Sequence, residues 1–174
     1  QDARYLQDYA KALAGLATRT DAVDETTYWS YSAYSSQVEE AELHRTWLAG
    51  EPTVAPSPVT QAYTNFLLAS VFVDDYVVGA AAVLPCYWLY AQTGAQITRI
   101  PDEHPYAVWL HTYHDDEFAQ ATAQALAIVE RAFALAAPQA RSRAARAYLT
   151  ACRHEVEFFD QALRVDPDDP GCDE

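Results

Sequence analysis

Long alanine- and leucine-rich runs, with apolar residues recurring at helical spacing, constrain this chain more than any other feature. Phe118, Ala121, Leu126, Val129 and Phe133 recur in this way and would line one side of a helix. No stretch of any length alternates as a half-buried strand would, and the 174 residues include only 5 glycines. An all-α fold follows, and short connections make it a compact helical bundle. The hydrophobic share, 51%, is enough for the core of one domain.

The breaks in this pattern mark the helices. The first is expected over residues 2–18, and a second over 21–49, opened by Asp21 and closed by Gly50. After the loop "GEPTVAPSP", Ser57 is a good N-cap, with Pro58 at the first helical position, where its missing N–H does no harm. That third helix should reach Val73, and a fourth should run from Asp74 to Ile97. "RIPDEHP" is the next break. The stretch from His104 to Ala136 is interrupted near "YHDDE", and a last helix begins after Pro138 and ends before "VDPDDPGCDE".

Charge excludes some partners. There are 11 basic against 25 acidic residues, a formal net charge of −14, so the clustered Lys and Arg that nucleic acid or an anionic membrane demands are lacking. The one basic cluster, "ARSRAAR" at 140–146, reads as a solvated helix start. No uncharged apolar run approaches the roughly 20 residues of a membrane-spanning helix, and nothing at the start resembles a signal peptide. Three widely spaced cysteines form no disulfide framework, which points to a reducing cytoplasm. Methionine is absent and residue 1 is a glutamine that leads straight into helix-like sequence, so the chain reads as the later part of a longer one.

Three stretches could carry chemistry. In "LPCYWLY", Pro85 removes the donor to the Ala81 carbonyl and crowds it, so a kink is expected. Cys86 and Tyr90, four apart, share a face. A thiol turned inward at a kink suits a covalent site, but a cysteine among aromatics is also ordinary core. In "RHEVEFFDQAL", Glu155 shares a face with Phe158 or Phe159 while Glu157 points elsewhere. A carboxyl among apolar neighbours would have a raised pKa and could donate a proton near neutrality. Cys152, one turn earlier, is read as packing. At the amino end Asp2 and Tyr5 share a face, but Asp8 and Tyr9 compete with them, and spacing alone cannot choose.

His104, His111 and His114 lie close in sequence to Asp115, Asp116 and Glu117, and His111 with Glu39 or Glu42 could in principle hold a metal in a bundle. Di-iron bundles use Glu-x-x-His on each of two helices. That spacing appears nowhere here, and Glu40 and His44 are four apart, so no metal site is expected.

Together, "QDARYL" (1–6), "EEAELHR" (39–45), "PSPVTQAYT" (56–64), "LPCYWLY" (84–90), "HPYAVWLHTY" (104–113) and "HEVEFF" (154–159) resemble the TenA family, the thiaminase II or aminopyrimidine aminohydrolase enzymes of thiamin salvage. The resemblance implies one domain over residues 1–165, followed by an acidic tail at 166–174. It implies a helical fold like that of the heme oxygenases but without haem or another cofactor, assembled as a homotetramer. The implied reaction is hydrolysis of 4-amino-5-aminomethyl-2-methylpyrimidine to the hydroxymethyl compound and ammonia, with thiamin as a further substrate. Cys86 matches the family's nucleophile, Glu155 its acid/base, and Tyr5 the tyrosine supporting the cysteine. Asp2 matches the aspartate that holds the aminopyrimidine edge, and Tyr63, Tyr90 and Tyr113 match the tyrosines lining the pocket. This settles the tie in favour of Asp2 over Asp8.

No Lys or Arg flanks Cys86, and a nearby carboxylate would raise its pKa, so no strongly lowered thiol is expected in the free protein. The resemblance implies a further helix ahead of Asp2, and without it Asp2 is expected at a frayed terminus. Other readings are a non-catalytic pyrimidine- or thiamin-binding regulator, or an oxidase on the same scaffold.

Overall fold

The computed structural model describes residues 1–47, 54–97, 99–101, 103–104, 106–113 and 116–164. Seven helices and no strand occur among them: α1 (Asp2–Ala17), α2 (Val23–Trp47), α3 (Pro58–Val73), α4 (Tyr76–Gln96), α5 (Ala107–Thr112), α6 (Asp116–Leu135) and α7 (Pro138–Gln161). The expected closure of α2 at Gly50 and the tail at 166–174 lie outside the described residues.

α4 is the axis of the bundle. Every residue from Val77 to Pro85 is buried, so this helix is apolar on all sides and has to be surrounded. α3, α6 and α7 pack around it, and α1 lies against α2, α3 and α4. At the crossing of α3 and α4 a Cβ on Gly79 would stand 2.9 Å from the Val71 Cα, so glycine sets the closeness of that approach. Pro85 does not end α4, which continues to Gln96.

Local chemistry explains where helices begin. The Ser57 hydroxyl accepts the Thr60 N–H at 3.1 Å, with Pro58 the first helical residue, as expected. α7 likewise starts on Pro138. α2 begins at Val23, two residues later than expected. Thr20, not Asp21, shapes its approach: the Thr20 hydroxyl accepts the Ala22 N–H at 3.2 Å and donates to Glu25 at 3.1 Å. α4 also starts late, at Tyr76. Asp74 accepts the Asp75 N–H at 2.8 Å in extended backbone, and Arg143 of α7 pairs with both aspartates.

The first turn of α1 is tied down, not frayed. Gln1 donates to the Ala55 carbonyl at 3.1 Å and accepts the Ser57 N–H at 2.7 Å, while Arg4 donates to the Val54 carbonyl at 2.8 Å. These bonds hold Asp2 and Tyr5 against the start of α3.

Candidate active site

Four helices converge on the middle of the bundle. Tyr63 of α3 is wholly buried, and its hydroxyl donates to Glu155 Oε1 of α7 at 2.7 Å. Tyr5 of α1 packs on Tyr63 with ring centroids 5.0 Å apart, and Phe158 packs on Tyr5 at 5.3 Å. Cys86 of α4, partly buried, is within electrostatic reach of Glu155, Asp2 and the surrounding tyrosines.

The groups perturb one another in a consistent direction. Glu155 is 2% exposed, and burial lifts its carboxyl to about 7 against the opposing Tyr63 hydrogen bond, with the charge of Asp2 adding to the rise. Burial, then the Glu155 charge, pushes the Cys86 thiol well up, opposed by the hydroxyls of Tyr5 and Tyr9. This is the direction expected for a thiol with no flanking cation. Burial also raises Asp2. The Tyr5 hydroxyl is buried beside Cys86 and Tyr63, near enough to lower the pKa of both, yet it completes a well-formed hydrogen bond to neither. An unmatched buried hydroxyl is costly, and it is suited to a ligand that offers an acceptor.

Tyr90 and Tyr113 form the outer part of the cluster, their rings 5.1 Å apart, with Phe159 against Tyr90 at 5.4 Å. A Cβ at Gly94 would come within 2.7 Å of the Tyr113 Cβ, so glycine makes room for that tyrosine. Beyond this pair lies an apolar cavity of about 170 Å³, bounded also by Thr93, Ile97 and Leu110. Its flat, apolar walls suit a heteroaromatic ring.

All seven expected site residues, Asp2, Tyr5, Tyr63, Cys86, Tyr90, Tyr113 and Glu155, thus interact directly or through the shared field of this cluster. Asp8 does not: it faces outward and pairs with Lys11 at 2.7 Å. Three residues went unassigned on sequence. Phe158 and Phe159 sit on different site tyrosines, and His154 stacks on Tyr63 at 5.2 Å. The available signal was the run "HEVEFF" itself, whose neighbouring aromatics follow a buried acid. Among the described residues no group of three potential metal ligands occurs.

A larger cleft of about 500 Å³ lies over Glu25, Tyr76 and Arg131. Tyr76 precedes Cys86 by ten positions on α4, about 15 Å. Its polar groups already satisfy one another: Glu25 accepts from Tyr76 at 2.6 Å and from Arg131 at 2.9 Å.

The fold and this site define a class: an all-helical protein with a cysteine, a proton-holding glutamate and a ring of tyrosines around a buried centre. The chain belongs to the TENA/THI-4/PQQC family, whose model matches residues 1–165. It is 52% identical over 169 residues to the thiamine biosynthesis multifunctional protein ThiED of Corynebacterium efficiens, covering 94% of this chain and 23% of that protein. It is 27% identical over 172 residues to the aminopyrimidine aminohydrolase of Bacillus subtilis, covering 94% of this chain and 73% of the relative. The chain therefore spans about a quarter of the ThiED length but most of the hydrolase. A TenA homologue from P. horikoshii OT3 superposes with a TM-score of 0.81 at 22% identity, over 94% of this chain and 79% of the other. That likeness fixes the fold as the helical, heme-oxygenase-like bundle. No described helix is long and apolar enough to cross a membrane.

Proposed function

We propose that this chain is an aminopyrimidine aminohydrolase of thiamin salvage. It converts 4-amino-5-aminomethyl-2-methylpyrimidine and water to the hydroxymethyl compound and ammonia, and cleaves thiamin at the same methylene. The observation carrying this reading is Glu155: a buried carboxyl held near pH 7 by desolvation, bonded to Tyr63 and beside Cys86.

Cys86 sulfur adds to an electron-poor ring carbon, and the thiol proton moves to a ring nitrogen. The amine then leaves the exocyclic methylene, taking its proton from Glu155. Water adds to the methylene and returns a proton to Glu155, after which the carbon–sulfur bond breaks and the thiol is restored. The covalent route divides one difficult substitution into easier steps, and general acid–base catalysis of this kind contributes roughly 100- to 10,000-fold. Tyr5 supports the sulfur, Asp2 pairs with the exocyclic amine and adjacent ring position, and Tyr63, Tyr90 and Tyr113 hold the ring.

The reading needs no cofactor, and the net charge of −14 opposes contact with nucleic-acid phosphates. A homotetramer in the cytoplasm completes it, supported by Tyr31, Tyr34 and Val38, which leave one face of α2 exposed and apolar. Residues 1–165 act as the catalytic domain, with 166–174 as an appended tail. Ammonia release from the aminomethylpyrimidine, and release of the free thiazole from thiamin, test the proposal. Tight binding of either compound with no turnover of both would make this a pyrimidine-binding protein instead.

A further inference from the structure

Cys86 is enclosed by acids and phenols. α1 brings Asp2, Tyr5 and Tyr9 to it, α3 brings Tyr63 and α7 brings Glu155. The Cys86 charge also reaches Tyr87 and Tyr90 of its own helix, and Tyr113. Among the described residues, none of the groups that act most strongly on it is a Lys, Arg or His. Among those groups, it is the hydroxyl donors that can hold a thiolate formed here.

One donor has not been assigned a part. Tyr9 is 3% exposed, and its ring stacks on Tyr5, one turn earlier in α1, with centroids 5.3 Å apart. Its hydroxyl donates to the Val83 carbonyl at 2.9 Å. Val83 lies three residues before Cys86, so its carbonyl is on the turn over which a helical cysteine side chain folds back. Pro85, between them, supplies no N–H to this part of the ladder. The Tyr9 hydroxyl thus bonds a backbone acceptor one turn from Cys86 and is near enough to act on its sulfur.

We propose that Tyr9 is a further catalytic residue, one whose hydroxyl donates to the Val83 carbonyl while Cys86 is a thiol and to the Cys86 sulfur when it becomes a thiolate. The proton stays on the Tyr9 oxygen throughout, and only its acceptor changes. Tyr5 and Tyr9 then form a two-hydroxyl cradle that takes the place of a cation. The raising of the Tyr9 phenol by burial and by the Cys86 charge fits this part, because it keeps the hydroxyl a donor, never a proton acceptor, across the working pH range.

This inference rests on Cys86 being the reacting thiol, but its test needs no substrate, so it stands or falls separately from the aminohydrolase reading. The rate of iodoacetamide alkylation is measured against pH, read on the Cys86 peptide by mass spectrometry. In Tyr9→Phe the midpoint should move up by about one unit, a roughly tenfold slower reaction at any pH below both midpoints. Tyr9→3-fluorotyrosine keeps the ring and its packing but donates more strongly, and should move the midpoint down. A lower melting temperature with an unmoved profile in Tyr9→Phe would reduce Tyr9 to a prop for the Val83 carbonyl and overturn the proposal. An unmoved profile in the fluorotyrosine protein would overturn it even if Tyr9→Phe failed to fold.

Discussion

Glu155→Gln should make the protein more stable at alkaline pH while removing its activity. The wild-type carboxyl is raised from 4.5 to about 7 in the folded protein. Between these values the unfolded chain has released the proton and the folded one retains it, so stability falls as pH rises. The stability this proton contributes is fully present below about 4.5 and is lost as pH passes through about 7. At about 1.36 kcal/mol per unit the loss is about 3 kcal/mol. Glutamine has the same shape, stays neutral and can still accept the Tyr63 hydroxyl, so it escapes that loss. Urea unfolding followed by circular dichroism should find the two proteins equal near pH 4.5. At pH 8 the variant should be ahead by about 3 kcal/mol, or about 6 to 12 °C in melting temperature for a domain of this size. A difference that does not change with pH, or a variant less stable at pH 8, would refute the placement of a protonated carboxyl in the core.

Two further substitutions probe neighbouring links. Tyr63→Phe removes the hydrogen bond that lowers the Glu155 pKa, so the alkaline limb of the pH–rate profile should shift upward, with a stability cost of about 1 to 3 kcal/mol. Ser57→Ala deletes the α3 cap and the 2.6 Å bond to Gln161. Thermal denaturation should show a loss of about 1 kcal/mol, with the chemistry unaffected.

The parts of this structure that could be read from sequence are those decided within one helical turn. Ser57 followed by Pro58 places the start of α3 to the residue, because capping needs only the side chain and the next three N–H groups. The start of α2 was misplaced because a threonine one residue earlier made the competing turn. Only position-by-position likeness chose between Asp2 and Asp8; spacing was neutral, and the deciding contact of Asp8, with Lys11, is a local surface pair. The Tyr63–Glu155 bond joins residues 92 apart, and no local pattern carries that information. Phe158, Phe159 and His154 escaped assignment because a ring that lies against a site has the same local pattern as one that fills a core.

The central claim is that Cys86 carries out a covalent step in amine release. Its most direct test is the ratio of single-turnover ammonia release from 4-amino-5-aminomethyl-2-methylpyrimidine by the wild type and by Cys86→Ser, each shown to be folded. The account predicts a roughly thousandfold or greater loss, as for other enzymes stripped of their nucleophile. A serine variant within about tenfold of the wild type would contradict it, since a hydroxyl so far from ionisation at neutral pH cannot stand in for the sulfur.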